Sequence, residues 1–409
     1  MAGVQHRWRE AQVASDELWG VVRPEALSER PVPERHRLVF YLGHLEAFDW
    51  NLLAPVLEIE PFHPDWDKLF AFGIDPSEGA LPSDPPSAWP RREEIAVYNR
   101  SVRERLGEAL ARPCGDEATL TQRLEVAIEH RWMHLETLSY LLHNLPLQHK
   151  QTGPSPSAAP GPARRSPASV EIPAGIATLG QTRPDTFGWD NEFPAHQQPV
   201  AAFTADRYKV TNGDYLAFVA AGAQPPHFWT RRGRDWFYRG MFADVPLPPD
   251  HPVYVTQAEA AAYCAWRGRR LPSEAEWQHM AYSTPGCTPA SEERSYPWGE
   301  AAPSPAHGNF ALRAWDPEPT TAFAPGASAW GVEDLLGNGW EWTATTFTAW
   351  PGFVPFSFYP GYSANFFDGN HFVMKGGSAR TASCLLRRSF RNWFQPHYPY
   401  VYAGFRCIA

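Results

Sequence analysis

The sequence predicts two folded parts of different class: a helical bundle, then an α+β domain rich in irregular structure. Three observations predict this. Apolar residues recur three or four apart through most of residues 1–150. Composition then shifts abruptly over residues 151–169 (QTGPSPSAAPGPARRSPAS), which lack any large apolar side chain and read as a linker. Beyond it, over residues 170–409, short apolar pieces alternate with Gly, Pro and aromatic turns. A chain of 409 residues also exceeds one ordinary domain.

In the first part, residues 5–22 mix charges with Trp8, Val13, Leu18 and Val21. Residues 37–57 place Val39, Leu42, Leu45, Phe48, Leu52 and Val56 on one helix face. Residues 95–110 and 120–142 follow the same period, and a proline-broken loop over about residues 60–90 separates the second helix from the third. Four helices with one long connection predict an up-and-down bundle. In the second part the clear helix is 256–266, with Thr256 at the N-cap and Glu259 three residues on. Another begins at Ser273 and includes Glu274 and Glu276. Short apolar pieces lie at 170–172, 200–203, 253–255 and 372–374.

Charge and cysteines narrow the function. With 36 basic and 45 acidic residues the formal charge is −9, which disfavours nucleic acid or an anionic membrane as partner. No apolar run approaches the roughly 18–20 residues that span a bilayer, and residues 1–10 are too polar for a signal peptide. Cysteines 114, 264, 287, 384 and 407 form neither CxxC nor a metal-ligand spacing. The expectation is a cytoplasmic protein without disulfides. Disorder, coiled coil and membrane span are excluded.

The chemistry-bearing pattern is histidine. His130 and His134 stand at i and i+4 in EHRWMHLE, so one helix face carries both imidazoles. His44 lies mid-helix in YLGHLEAFDW, and helices two and four of a bundle both face its central groove. Three neutral imidazoles leave the far side of an ion open for substrate and oxygen, and they suit Fe, Zn, Cu and Ni alike. The bundle reads as otherwise poor in buried polar residues. Taken alone, an HxxxH pair is more often ordinary surface or core histidine than a ligand pair.

The second part changes that balance. DNEFPAHQQPVAAFTADRYKVTNGDYLAFVAAG, RRLPSEAEWQHMAY, GNGWEWT, KGGSA and AGFRC follow in this order across most of residues 170–409. Together they resemble the formylglycine-generating-enzyme-like (sulfatase-modifying-factor) domain. With a DinB-like bundle carrying H…HxxxH in front, the chain resembles the sulfoxide synthases of ergothioneine biosynthesis and their selenoneine-forming relatives. The resemblance implies a DinB-like four-helix bundle followed by a C-type-lectin-like domain. It implies non-haem Fe(2+) held by His44, His130 and His134, and O2-dependent bonding of a chalcogen to C2 of the imidazole of hercynine (Nα-trimethylhistidine). It also implies a structural Ca(2+) held by Asn338 and backbone oxygens of GNGWEW. A copper-dependent peptide-cysteine oxidase is disfavoured, because Cys384 has Ser389 where that activity needs a second cysteine. Cys407 reads as buried packing.

By the same resemblance, Tyr359 is the proton donor near the iron and Tyr362 helps to hold hercynine. Asn392, Trp393 and Phe394 fall where relatives contact hercynine, and aromatic faces suit a quaternary ammonium. Met133 replaces the glutamine that relatives often carry there. On the donor side, relatives that use γ-glutamylcysteine show arginines in a loop that here reads EGALPSDPP, and an acidic residue after RNW. This chain offers Glu78, Asp84, Phe394 and Gln395, while Arg91, Arg92, Arg387, Arg388 and Arg391 lie near in sequence. Anions repel a donor carboxylate but accept hydrogen bonds from hydroxyls. The reading is therefore a selenoneine synthase acting on hercynine, a selenosugar and O2 through a hercynyl selenoxide. The alternatives are a sulfoxide synthase with a cysteine-derived thiol, or a non-catalytic binding module, which the retained histidines and tyrosines disfavour. Because the implicated groups fall in both parts, turnover is expected to need both.

Overall fold

A computed structural model describes residues 1–72, 81–157, 160–164, 168–182, 186–286 and 293–409. It divides into two compact units, Met1–Gly153 and Pro154–Ala409.

The first unit is helical: α1 (Ala2–Trp19), α2 (Leu38–Leu53), α3 (Pro64–Phe72), α4 (Arg92–Leu110) and α5 (Glu117–Asn144). The four long helices lie where the apolar periodicity puts them. The addition is α3, inside what reads as a proline-broken loop; Pro64 opens it, and proline is tolerated in a first turn. Helix α2 is buried on nearly every side because α3, α4 and α5 all pack on it. Ile95, Tyr98, Val102, Leu106 and Ala109 form the buried stripe of α4. Asp116 caps α5, accepting the Thr119 N–H at 3.0 Å.

The interior is not poor in polar groups, contrary to the sequence reading. Arg131 is fully buried and donates to Asp49 (2.7 Å), Glu46 (3.2 Å), Ser15 Oγ (3.1 Å) and the Leu45 carbonyl (3.0 Å). Trp8 Nε1 donates to Asp49 at 2.8 Å, and Arg103 links Glu46 to Asp16. This network ties α1, α2, α4 and α5 together. A buried ion network is tolerated when most of its polar atoms find partners, and here the partners come from four helices, with Asp49 Oδ1 and Arg131 Nε left over among the described residues.

The second unit is α+β with much irregular chain, as expected. Its elements are β1 (Ser169–Ile172), β2 (Gly175–Leu179), β3 (His196–Val200), β4 (Phe203–Asp206), α6 (Asn212–Ala220), β5 (Trp229–Arg232), β6 (Asp235–Arg239) and β7 (Asp244–Pro246). Then come α7 (Gln257–Trp266), α8 (Glu274–Tyr282), β8 (Trp340–Thr346), α9 (Gly361–Ala364), β9 (Phe372–Lys375), β10 (Asn392–Phe394) and β11 (Ala403–Gly404). The largest sheet has the order β10-β9-β8-β11, with β11 parallel to β8 and the other pairs antiparallel. Capping boxes open α6, α7 and α8, at Thr211/Asp214, Thr256/Glu259 and Ser273/Glu276. The apolar piece 253–255 is buried but is not a strand; Val253 and Val255 donate to Val210 and Ala403 carbonyls across loops. Trp277, Met280, Leu179, Leu335, Leu336 and Ile408 belong to one core.

A buried ion pair joins β8 to the chain just after β11. Glu341 of β8 accepts both ends of the Arg406 guanidinium at 2.7 Å, and Arg406 also donates to the carbonyls of Asp206, Arg207 and Glu333. So the glutamate of GNGWEWT and the arginine of AGFRC serve the fold. Cys407 is buried, with its sulfur 3.1 Å from that of Cys264.

Much of the proline-rich stretch belongs to the second unit. Arg164 pairs with Asp214 at 2.7 Å, the Gly161 N–H donates to Asp250 at 2.5 Å, and Thr321 Oγ1 donates to the Pro162 carbonyl at 2.6 Å. A Cβ on Gly161 would meet Pro319 at 2.3 Å. Lacking large apolar side chains, this segment docks through the backbone of Gly161 and Pro162 and the guanidinium of Arg164.

Candidate active site

Three imidazoles meet inside the first unit. His44 of α2 and His130 and His134 of α5 bring one ring nitrogen each within 4.8 Å of one another. The Nε2 atoms of His44 and His134 are 3.2 Å apart. Two ligands at that separation can share one ion with metal–nitrogen bonds of about 2.0–2.1 Å. Burial pushes the His44 imidazole down to about 4. Burial first, then the neighbouring imidazoles, hold His130 and His134 well below the ordinary histidine value. All three are therefore neutral at physiological pH, the form that ligates metals. His130 Nδ1 and His134 Nδ1 are buried without a hydrogen-bond partner among the described residues. The donor set and its neutrality fit a metal ion.

Packing orients the rings. Phe48 stacks on His130 at 3.4 Å and 8°, Phe40 stacks on His44 at 4.8 Å, and Tyr41 flanks His134 at 5.9 Å. Phe40, His44 and Phe48 are four apart on α2, so they share a face. The sequence reading missed these walls, although their spacing was visible. Met133 is half-buried beside His134 on α5.

The remaining proposed residues lie in the second unit and form a group of their own. Tyr362 stacks on Trp189 at 3.9 Å and meets the Trp393 ring edge-on at 5.5 Å. Ser363 donates to Asp190 and accepts from Asn191 (2.9 Å), which anchors the turn that carries Tyr359 and Tyr362. Tyr359 lies 5.6 Å from Tyr362, ring to ring. Burial, with the Asp190 carboxylate adding to it, pushes the Tyr359 phenol up to about 12. It keeps its proton at neutral pH and can donate it. Trp393 lies flat on Phe347 at 4.2 Å and 6°.

Not every residue expected at hercynine joins this group. Alternation along β10 sends Asn392 and Phe394 to the face opposite Trp393. Phe394 packs on Tyr398 at 5.2 Å. Trp189 was not anticipated, because it stands 173 residues before Tyr362 and its aromatic neighbourhood is not local in sequence.

The donor residues fare unevenly. Glu78 lies outside the described residues, and Gln395 is exposed. Asp84 is put to another use than the one expected of it. Its carboxylate is buried and accepts from Arg30, from Arg37 (3.1 Å) and from Trp89 Nε1 (2.7 Å). It pins the start of α4 to the chain before α2. The nearby arginines are matched as well: Arg387 by Glu192, Arg388 by Glu293, Arg391 by Glu274 (2.9 and 3.0 Å) and Arg91 by Glu94 (2.8 Å). Arg92 is exposed.

The residues around Asn338 do not fit the expected Ca(2+). The Asn338 amide is spent on the Glu318 backbone (2.8 and 2.9 Å), Asp334 (3.0 Å) and Asn309 (3.3 Å). The buried Lys209 ammonium donates to the Asp334 and Gly337 carbonyls and lies 3.5 and 3.6 Å from the Asp334 and Glu341 carboxylates. A side-chain cation already neutralises this pocket. Added Ca(2+) is therefore expected to leave the melting temperature of EGTA-treated protein unchanged; a rise of several degrees would restore the ion.

Comparison with known proteins gives consistent matches in both units. The model of the sulfatase-modifying factor enzyme 1-like domain matches residues 155–409, and that of the DinB superfamily matches residues 7–138. A protein of Mycolicibacterium thermoresistibile named hercynine oxygenase is 37% identical over 75% of this chain and 72% of its own length. Its namesake from Mycolicibacterium smegmatis is 36% identical over 84% of this chain and 83% of its own. Ergothioneine biosynthesis protein 1 of Neurospora crassa is 28% identical over 94% of this chain and 55% of its own. Among the described residues, no helix is long and apolar enough to cross a membrane.

Proposed function

The chain belongs to the hercynine oxygenase family, with a DinB part followed by a sulfatase-modifying-factor part, and from this we propose an iron- and O2-dependent enzyme that joins a chalcogen donor to hercynine. The supporting observation is the buried trio of neutral imidazoles, His44, His130 and His134, which would hold the ion. Bound there, ferrous iron supplies O2 binding and electron transfer. The protein supplies the rest. Tyr359 retains a proton to give, and the faces of Tyr362 and Trp393 suit the trimethylammonium group.

The electron count closes without another reductant. Forming the C–Se bond from a C–H and an Se–H removes two electrons, and oxidising selenium to the selenoxide removes two more. O2 takes all four: one oxygen stays on selenium and the other leaves as water with the two hydrogens.

For the donor, our reading is a neutral selenosugar. What supports it is the state of the arginines. A γ-glutamylcysteine donor brings two carboxylates whose desolvation needs free cations. Arg387, Arg388 and Arg391 are already neutralised by glutamates of the same unit. Glu78 and Gln395 remain as donor contacts; Asp84, spent on Arg30, Arg37 and Trp89, is not one. The second reading, a sulfoxide synthase using a cysteine-derived thiol, is favoured by the names that the relatives carry. Competition of the two donors for limiting hercynine, with products separated by mass, tests the choice. Loss of one bidentate carboxylate clamp is worth about 2–3 kcal/mol, or roughly 30- to 150-fold, in favour of the selenosugar. Preference for γ-glutamylcysteine or cysteine would establish the sulfur reaction instead.

A further inference from the structure

We propose that the short helix α3 positions His44, acting through the Phe70 carbonyl and the bare backbone of Gly43. The inference rests on the reading of the three histidines as an iron site. His44 Nδ1 lies 2.6 Å from the Phe70 carbonyl oxygen. A carbonyl only accepts, so Nδ1 carries the hydrogen and the Nε2 lone pair is left facing His134. His44 is thus the one member of the trio whose tautomer a hydrogen bond to a backbone carbonyl dictates among the described residues; His130 Nδ1 and His134 Nδ1 have no such partner. Outer partners of this kind fix the ring and raise the basicity of the ligating nitrogen.

Gly43 explains how Phe70 comes to be there. Glycine is the poorest helix former after proline, so its place in the middle of α2 points to a packing reason. A Cβ at Gly43 would fall 2.6 Å from two atoms of the Phe70 ring and 2.7 Å from a third. The ring cannot retreat cheaply. It is fully buried, with Trp66 at 5.9 Å, Trp89 at 6.3 Å and Tyr98 at 5.9 Å. Asp67 clamps the same helix, accepting from Tyr98 Oη at 2.7 Å and, through its carbonyl, from Asn51 at 2.9 Å. Seating the ring on Gly43 therefore sets where the Phe70 carbonyl sits above the neighbouring residue, His44.

The test is Co(2+) titration of full-length Gly43→Ala, followed by the visible absorption of the bound ion. Affinity is expected to fall about 10- to 100-fold while the helical circular dichroism is kept. Adding Phe70→Ala should recover most of that loss, because it removes every ring atom the new methyl would meet while the backbone carbonyl remains. Unchanged Co(2+) affinity in Gly43→Ala would overturn the proposal. Should Gly43→Ala not fold, nitrogen-15 spectra of metal-free wild-type protein labelled at histidine decide it. A His44 Nδ1–H tautomer is expected; an Nε2–H tautomer, or a mixture, would refute it. A wild type that takes up neither Co(2+) nor Fe(2+) would instead sink the iron reading, whatever the tautomer.

Discussion

His134→Ala is expected to leave the protein without iron and without turnover, while both units stay folded. Removing an outer partner of a metal ligand costs about 10–100-fold in affinity, so deleting a ligand itself should exceed the upper figure. The fold should survive because, among the described residues, the His134 side chain makes no hydrogen bond to the backbone; its Nε2 faces His44 at 3.2 Å. Its ring meets Tyr41 and His44 of α2 by packing alone, and the Arg131 bonds to Glu46 and Asp49 still join α5 to α2 without it. Metal analysis of the purified variant, with circular dichroism as control, reads the result. Full iron occupancy would remove His134 from the ligand set, and with it the assignment of the trio.

Glu341→Ala should be the most damaging single change in the second unit. Glu341 is fully buried and answers two buried cations, the Arg406 guanidinium at 2.7 Å and the Lys209 ammonium at 3.6 Å. Breaking a buried pair by deleting one partner costs about 3–5 kcal/mol, a large share of an ordinary domain's stability of about 5–15 kcal/mol. The pair also spans the β8–β11 contact, where Gly404 registers with Glu341. A lowered urea midpoint of the second unit in both Glu341→Ala and Glu341→Gln is the expected pattern, because either change removes the charge that Arg406 and Lys209 share. Little change in Glu341→Gln beside a large loss in Glu341→Ala would mean that shape matters there more than charge.

Local rules reached some of these features and not others. The His130/His134 pair, the apolar stripes of α2, α4 and α5, and the capping boxes at Thr256 and Ser273 all depend on residues within four of one another. Such patterns are legible in a sequence because helix geometry alone generates them. The Arg131 network is different: its carboxylates stand 85 and 82 residues away at Glu46 and Asp49. Each of those charges looks, in its own helix, like an ordinary solvated one. Helix α3 was hidden for another reason, since neighbouring prolines mask so short an apolar pattern. Lys209 gives the sharpest lesson. The GNGWEWT motif carries the oxygens that suggest a cation, yet the cation is a side chain more than a hundred residues earlier. The split between Trp393 and its neighbours on β10 was legible in principle, because alternation follows as soon as the segment is known to be a strand.

The docked proline-rich segment bears on where the second unit can be cut free. Judged by composition, Gln151 to Ser169 looks like a span that any protease could enter and any truncation could discard. Its hydrogen bonds to Asp214, Asp250 and Thr321 say otherwise. Cleavage needs a backbone that can peel away into an enzyme's cleft, and Arg164 is held against that by its own guanidinium. A fragment begun at Val170 would bare the groove beside Pro319 that Gly161 fills, and would take the Arg164 guanidinium from Asp214 and the Gly161 N–H from Asp250. One begun at Pro154 keeps the seam closed.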